Sequence, residues 1–360
     1  MPEATLPMGR DAGGAAEWAG RNWALLFLAL EIAAFTAFGT HFVSLENLQN
    51  VLVACTYVLL LGIGETFVII TGGIDLSVGF LMGFSTVICA KAIVLLRGAA
   101  LPLPAAIVLG AAICLAVGLL PGMVNGLLVA RLRVPPFLAT FGMYGFTYGL
   151  AEIICDNTPI TAPEGTGYAG NEYLFYLVPG KVFSFLVRPQ GLSEGDLRRM
   201  ITILPIIAVI TFIVAPIFAF VLTRMRFGRH TYAIGGNMDA AIRAGINVPR
   251  HLTYIYMISS ACAALAGALF VLRYVTGTAD AGSSLMLDAV VAVVIGGASL
   301  YGGRGTVKGT IVGALIIAVL ETGMVNLEIP TFNRYIAIGG ILIFAVLVDQ
   351  FFPDLVGRGK

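Results

Sequence analysis

The chain has 360 residues, of which 58% are hydrophobic and only 11% are charged, and its net charge is +1. A soluble domain typically carries about a quarter charged residues, so most of this chain's surface faces something other than water. The near-zero net charge excludes the broad basic surface of a nucleic-acid-binding protein. We therefore predict an integral membrane protein whose main partner is the lipid bilayer.

Residues that carry chemistry are few and scattered. The five cysteines lie in or beside apolar stretches without metal-ligand spacing, and the three histidines are too separated to form a metal site. The sequence contains neither an H-E-x-x-H pattern nor a G-x-x-x-x-G-K-[ST] phosphate loop. We expect no enzymatic activity and no cofactor or metal bound by this chain.

Ten apolar segments approach the roughly 20 residues that a helix needs to cross the hydrocarbon core. They predict an all-α, polytopic transmembrane helical bundle, although eight or nine spans remain open because the eighth is short and Gly interrupts the third and fourth. The segments are 23–40, 48–70, 76–96, 103–130, 136–154, 201–223, 252–274, 285–300, 306–326 and 333–351. We predict one transmembrane domain over 23–351, with cytoplasmic tails at 1–22 and 352–360.

Lys and Arg residues predict the orientation, because they accumulate on the cytoplasmic side of a membrane. The bias is strongest from Arg224 to Arg250, a stretch with five Arg and one acid, Asp239. Both termini are therefore predicted to be cytoplasmic, with a large inner loop at 224–251. The large loop at 155–200 is predicted to lie outside, and its apolar piece from Tyr173 to Val187 to lie in the membrane interface.

Glycines at spacing four predict close contacts between helices, because residues four apart share a helix face. We interpret these faces as packing within one subunit, and dimerisation through one of them is the alternative. The sets are Gly118, Gly122 and Gly126; Gly305, Gly309 and Gly313; Gly79 and Gly83; and Gly145 and Gly149.

Gly72 and Gly73 interrupt two apolar runs, and Asp75 and Ser77 follow within a few residues. Adjacent glycines permit positive φ and end a helix. Asp75 or Ser77 would then cap the next helix. A charged group at the centre of a membrane helix costs about 2.5–3.5 kcal/mol, so Asp75 should be capped, paired or hydrated. A structural cap and a gate in the transport pathway both fit this pattern.

A second segment, 294–306, repeats this arrangement. Gly296 and Gly297 follow an apolar run and precede a new helix, and the upstream acids Glu65 and Asp288 correspond roughly. Such a match indicates an internal duplication, a common feature of transporters.

The inner loop contains its own short helix, predicted at 238–244. Asn237 is a good N-cap, Asp239 lies in the first turn, and Gly245 follows a run of helix formers. A loop that only fixes the topology needs a few Arg but no capped helix. We therefore favour a docking surface for a cytoplasmic partner.

With these segments in view, the chain resembles the permease subunit of bacterial sugar importers of the ATP-binding-cassette (ABC) type, the ribose-permease-like family. The resemblance covers residues 47 to 350, and several long motifs occur in the family's order. The matching pieces are Thr66–Gly79, Asn125–Thr140, Arg226–Asn237, Ala244–Asn247 and Leu287–Gly305.

The resemblance implies the ABC importer permease fold in a bacterial inner membrane, moving a simple sugar. It implies as partners a second permease copy or paralogue, two cytoplasmic ABC ATPase subunits that bind the ATP, and a periplasmic or extracellular sugar-binding protein. The ATPase contact maps onto Gly236, Asn237, Asp239, Arg243 and Gly245. Candidates for the gate or pathway are Glu65, Gly72, Gly73, Asp75, Ser77, Asn125, Asp288, Gly296 and Gly297.

The chain departs from the family pattern in three places, which puts the substrate in doubt. Glu65 stands where Gln or Met is expected, Glu321 stands where Asn is expected, and the outer loop is longer, with charges from Arg188 to Arg199. A permease for nucleosides or branched-chain amino acids remains an alternative. A stand-alone secondary transporter is less favoured, because the acids of the predicted spans do not cluster along one helix face.

Overall fold

The computed structural model describes residues 22–179, 181–185 and 188–351. The predicted tails at 1–22 and 352–360 lie outside these residues, apart from Asn22. The prediction that both tails are cytoplasmic therefore stays a prediction.

The described residues form a helical bundle, which confirms the predicted fold class. Among the described residues, seven helices are long and apolar enough to cross a membrane, and two shorter helices, α1 and α12, are also apolar. Each of the ten predicted spans coincides with a helix. In chain order the helices are α1 (Trp23–Phe38), α2 (Leu45–Ile70), α3 (Val78–Gly98), α4 (Leu103–Ala130), α5 (Pro136–Cys155), α6 (Thr166–Gly170), α7 (Glu194–Arg199), α8 (Ile206–Arg224), α9 (Arg226–Gly236), α10 (Met238–Arg243), α11 (Val248–Tyr274), α12 (Leu285–Ile295), α13 (Val307–Asn326) and α14 (Thr331–Phe351).

Three predicted boundaries were wrong, each for a local reason. The sixth span begins at Ile206, because the five residues before it pair with a strand of the outer loop. The seventh begins four residues earlier than predicted, because the Asn247 side chain accepts a hydrogen bond from the backbone N–H of Arg250 and caps α11. The eighth ends at Ile295, where Gly296 and Gly297 terminate the helix.

Helix α2 lies at the centre of the bundle. In its most apolar stretch 94% of the residues are buried, against 22% in α4 and 28% in both α5 and α8. It packs against α8, α11, α12 and α13, while α4 packs mainly against α3 and α11. The outer faces of α4, α5 and α8 therefore remain for lipid or for another protein chain.

Three of the four glycine sets pack inside the chain, as interpreted from the sequence. Along α4, Gly118 lies against Ala264, Gly122 against Ser260, and Gly126 against Thr253, all on α11. Gly309 and Gly313 of α13 lie against Gly296 and Ala292, and Gly79 and Gly83 of α3 approach the segment 279–282. The fourth set differs, since a Cβ added at Gly145 or Gly149 of α5 would meet nothing within 4 Å.

The outer loop contains strands, which the sequence analysis did not predict. The strands β2 (Tyr173–Val178), β3 (Val182–Phe185) and β4 (Ile201–Pro205) form an antiparallel sheet in the order β3-β2-β4. A second pair joins β1 (Ile160–Thr161) to β5 (Thr276–Gly277), which follows α11. The aromatic and β-branched residues that suggested an interfacial segment also favour a sheet.

An ion pair stabilises the far end of this loop. Ser193 and Asp196 form a capping box at the start of α7, and the Lys181 ammonium lies 2.8 Å from the Asp196 carboxylate. Hydrogen bonds from Lys181 and Ser193 lower the pKa of Asp196 to about 2. The carboxylate is therefore ionised throughout the neutral range.

Candidate functional site

The segment between α2 and α3 folds back into the bundle. The Gly73 N–H donates to the Val68 carbonyl at 3.1 Å, and Gly72 has φ of +80°, which closes a Schellman turn at the end of α2. The chain then returns far enough for the Asp75 N–H to donate to Glu65 Oε1 at 3.1 Å. Glu65 lies five residues before the end of α2, so the loop re-enters the bundle by more than one helical turn.

The fully buried Asp75 carboxylate organises this loop. Asp75 Oδ1 accepts hydrogen bonds from the Ser77 N–H at 3.0 Å and from Ser77 Oγ–H at 2.5 Å. Asp75 Oδ2 accepts from Ser259 Oγ–H on α11 at 2.8 Å, and Asn125 Nδ2 on α4 donates to Ser77 Oγ at 3.0 Å. The cluster of Glu65, Asp75, Ser77, Asn125 and Ser259, called here the buried polar cluster, therefore ties three helices to one loop.

The prediction that a side chain of this loop caps α3 was wrong. Ser77 occupies the N-cap position, but its side chain makes no cap bond, because its backbone is helical (φ −84°, ψ −17°) and not extended as in a capping residue. Asp75 also forms no ion pair within the described residues. Hydrogen bonds alone therefore compensate the cost of burying its carboxyl group.

Two atoms of the buried polar cluster have no hydrogen-bond partner, namely Glu65 Oε2 and Asn125 Oδ1. Buried polar atoms are nearly always hydrogen-bonded in folded proteins. These two atoms are therefore available to form hydrogen bonds with water or with a polar group that passes through the bundle.

The second Gly-Gly segment has the same turn as the first. Gly297 has φ of +91°, its N–H donates to the Val294 carbonyl, and the next N–H donates to the Val293 carbonyl. The two segments also touch, because the Gly303 N–H donates to the Ile70 carbonyl at 2.7 Å. These local matches support the predicted duplication, which as a whole stays a prediction.

A third glycine pair joins this contact from α9. A Cβ on Gly235 would overlap the Ile70 carbonyl oxygen, and one on Gly303 would lie 3.3 Å from Gly236. The three segments Ile70–Gly73, Gly235–Gly236 and Gly302–Gly305 are called here the inner junction. At Gly235, only glycine permits this approach of one backbone to another.

Helix α9 connects the inner junction to the rest of the bundle, and the sequence analysis missed it. The Tyr232 hydroxyl donates to the Gly305 carbonyl at 2.7 Å, and Thr231 Oγ1 lies 2.9 Å from His251 Nε2 on α11. Burial raises the pKa of Tyr232, so its hydroxyl stays protonated as the donor. The amphipathic stretch at 226–236 was the available sequence signal.

The predicted inner-loop helix is present as α10. Asn237 Oδ1 accepts from the Ala240 N–H at 2.9 Å, and Gly245 with φ of +82° follows the helix. Both terminal signals were therefore interpreted correctly, and the helix ends one residue earlier than predicted, at Arg243.

The outward face of α10 is exposed and mixed in character. Met238 and Ile242 are 43% and 54% exposed at adjacent turns, and Asp239 and Arg243 flank them. Ala241 on the opposite face is buried and holds the helix on the bundle. An exposed apolar pair between opposite charges is typical of a protein docking surface.

Asp288 lies apart from the buried polar cluster. Arg334 of α14 forms an ion pair with Asp288 of α12 through Nη2 and with Glu321 of α13 through Nη1, the latter at 2.7 Å. The structure thus separates the gate candidates into two sites. Arg334 is the cationic partner that two acids inside membrane helices require, and the sequence analysis did not identify it.

The remaining predicted residues fall into groups. Glu65, Gly72, Gly73, Asp75, Ser77 and Asn125 lie together, and Gly236, Asn237, Asp239, Arg243 and Gly245 lie together around α10. Gly296 packs against Gly309, and Gly297 makes the turn. Ser259 is a member of the buried polar cluster that sequence reasoning missed, because no pattern distinguishes it from other serines in α11.

Comparisons with known proteins agree with this architecture. Residues 47–346 match the family described as branched-chain amino acid transport system / permease component. The chain is 34% identical to the xylose transport system permease protein XylH of Haemophilus influenzae, over 90% of this chain and 95% of that protein. It is 33% identical to the ribose import permease protein RbsC of Escherichia coli K12 (92% and 94%) and 36% identical to RbsC of Bacillus subtilis (84% and 84%).

No solved structure shows significant similarity to the chain. The family match nevertheless covers most of the sequence, and the relatives are similar along nearly their whole lengths. The predicted resemblance to the ribose-permease-like proteins is therefore confirmed. This chain belongs to the family of membrane permease components of transport systems.

Proposed function

We propose that this chain is the membrane-spanning subunit of an ATP-driven importer for a simple sugar. The observation that carries the proposal is α10, a capped and exposed helix that α9 connects to the inner junction. A transporter without a partner has no need of such a surface. The names of the relatives, which specify xylose, ribose, allose and fructose, support a monosaccharide as the substrate.

In this account two cytoplasmic ABC ATPase subunits dock on α10 and its copy in a second permease. A displacement of α10 moves α9, and through Gly235 and Tyr232 it moves both Gly-Gly turns of the inner junction. Because the backbones of α9 and of the two Gly-Gly turns are in direct contact, the turns must move when α9 moves. The hydrolysis of ATP by the partners would thereby open or close the inner end of the permease.

The second permease subunit would pack against α5. This helix has a row of small residues, Gly142, Gly145 and Gly149, at which an added Cβ meets nothing within 4 Å. Phe137 and Phe141 on the same helix are both 54% exposed. Small residues beside exposed aromatic rings suit close packing by another transmembrane helix.

In the proposed orientation, both termini and α10 lie in the cytoplasm of a bacterium and the sheet of the outer loop lies outside. The five Arg residues from Arg224 to Arg250 support this assignment through the positive-inside rule. The outer loops would then meet an external sugar-binding protein.

A permease for branched-chain amino acids is the second candidate, because the family description names these substrates. The curated relatives that match most of this chain are named for sugars instead. A soluble binding protein sets most of the selectivity in the proposed importer, so the identity of its cargo separates the two candidates.

The test is purification of the tagged chain from native membranes under mild solubilisation. We expect an ATPase with a phosphate loop and a sugar-binding protein to co-purify. Arg243→Glu should lose the ATPase while the chain stays in the membrane, whereas Arg131→Glu, an equal charge reversal in another inner loop, should retain it. The proposal would be contradicted if the chain were recovered alone. It would also be contradicted if the Arg243→Glu variant co-purified with as much ATPase as the parent chain.

A further inference from the structure

A cleft of about 580 Å³ opens at the end of the bundle opposite the inner junction. It lies between α2, the last turn of α11, the segment 281–285, and the facing ends of α13 and α14. Its wall on α2 extends from Glu46 to Tyr57. Tyr57 is thirteen residues from Ile70, which places it about 20 Å from the inner end of α2, roughly in the middle of a 30 Å hydrocarbon core.

The wall of the cleft combines balanced charges with aromatic rings. Two acids, Glu46 and Glu321, and two bases, Arg273 and Arg334, line it. Asn47 and Asn50 add amide groups, and the rings of Tyr57, Phe270 and Tyr274 pack with centroids 4.6 to 6.3 Å apart. Balanced charges do not select an ion of either sign, and this polar wall does not suit an apolar ligand.

Three wall residues each hold a buried polar atom without a partner in the protein. These atoms are Tyr57 Oη, Asn326 Oδ1 and Arg334 Nε. Together they offer a hydroxyl that donates and accepts, an acceptor, and a fixed charged donor. Burying such groups unpaired costs free energy, so their presence in one wall indicates a ligand that pairs with them.

We propose that this cleft is a binding site for one neutral, polyhydroxylated molecule of the sugar class in each permease subunit. Each hydroxyl of such a ligand both donates and accepts hydrogen bonds, which matches paired carboxylates, guanidinium groups and amides. Its apolar C–H faces match the aromatic rings. The proposal rests on the proposed function, and it adds a substrate site inside a single subunit, on the outer half of the membrane.

Protection from a thiol reagent tests the site in the full-length chain. The five native cysteines are buried. Asn50→Cys places an exposed thiol in the wall, and Ala99→Cys places one on the outer surface between α3 and α4, away from the cleft. Membranes with each variant are labelled with a membrane-impermeant thiol reagent under increasing D-ribose, D-xylose, D-allose or D-fructose.

We expect at least one of these sugars to protect Asn50→Cys and none to protect Ala99→Cys. Tyr57→Phe in the Asn50→Cys background should raise the half-protecting concentration about tenfold, because one hydrogen bond to the ligand is lost. The melting temperature should not fall, because the Tyr57 hydroxyl has no partner in the protein. Tyr168→Phe, an equal change on the exposed outer loop, should leave the protection curve unchanged.

Protection and transport distinguish the two claims. If the complete transporter accumulates one of the four sugars and that sugar does not protect Asn50→Cys, the cleft proposal is overturned and the importer stands. If a sugar protects Asn50→Cys and the complete transporter accumulates none of the four, the cleft proposal stands and the importer falls. A Tyr57→Phe protection curve equal to that of the parent would also overturn the site.

Discussion

The two ends of the bundle are built on opposite principles. At the inner junction three backbones touch through Gly235, Gly303 and the Ile70 carbonyl, with no room for a methyl group at Gly235. At the outer end a cleft of about 580 Å³ separates α2 from α13 and α14, and charged side chains line it. The structure is therefore closed toward the proposed cytoplasm and open toward the proposed exterior.

This difference explains where the acids of the membrane helices lie. Near the inner end, Asp75 is satisfied by hydroxyl and N–H donors and needs no cation. Near the outer end, Asp288 and Glu321 share the Arg334 guanidinium. Neutral donors suit a region that must stay tightly packed, whereas an ion pair at a cleft keeps charge beside water and solutes.

The largest expected effect comes from removing the cation at the outer end. Arg334→Met leaves the buried Asp288 without its partner, which should lower the free energy of unfolding by about 3–5 kcal/mol. The apparent melting temperature of the purified chain and its membrane yield measure this loss. Adding Asp288→Asn should restore part of the stability. If Arg334→Met melts like the parent, the ion pair does not stabilise the outer end.

The next effect concerns the buried polar cluster. Asp75→Ala removes the acceptor for the Ser77 and Ser259 hydroxyls and should cost about 1–3 kcal/mol, with lower yield and transport. Asp75→Asn retains an acceptor for Ser77 and should lose less. Membrane yield and sugar uptake measure both variants. Wild-type yield and uptake for Asp75→Ala would contradict both the structural and the gating role of this residue.

The inner junction offers a matched pair of adjacent glycines. Gly235→Ala places a methyl group against the Ile70 carbonyl and should destabilise the chain by about 1–3 kcal/mol. Gly236→Ala meets nothing within 4 Å and should leave the melting temperature unchanged. Thermal unfolding of the two variants side by side is the measurement. Equal melting temperatures would mean that the junction tolerates separation of its three segments.

The smallest effect on stability should come from the exposed face of α10. Ile242→Asp changes a side chain that is 54% exposed, so the free energy of unfolding should change by less than about 0.5 kcal/mol. ATP hydrolysis in the complete transporter should nevertheless lose its stimulation by the sugar-loaded binding protein. Preserved stimulation would show that α10 does not transmit the signal.

Much of the fold could be predicted from local signals in the sequence. Apolar length located every predicted span, and Asn237 with Gly245 located α10, because caps and apolar runs act within a few residues. The turn at Gly72 and Gly73 was predicted for the same reason. These features depend only on residues close together in the sequence and on the thickness of the bilayer, so they can be predicted without the tertiary structure.

The parts that the sequence did not predict depend on distant contacts. Ser259 lies 184 residues from Asp75, and Arg334 lies 46 residues from Asp288. The pairing of Gly303 with Ile70 also depends on how α12 and α2 pack. The strands of the outer loop were missed because Tyr, Phe and Val favour both a sheet and a membrane interface.

The most direct test of the central claim is sugar uptake by proteoliposomes that contain this chain with its co-purified partners. We predict that uptake of a monosaccharide requires ATP on the side of the membrane where the ATPase subunits lie and the binding protein on the opposite side. We also predict that Arg243→Glu abolishes this uptake. Uptake by the chain alone, driven by an ion gradient and indifferent to ATP, would contradict the account.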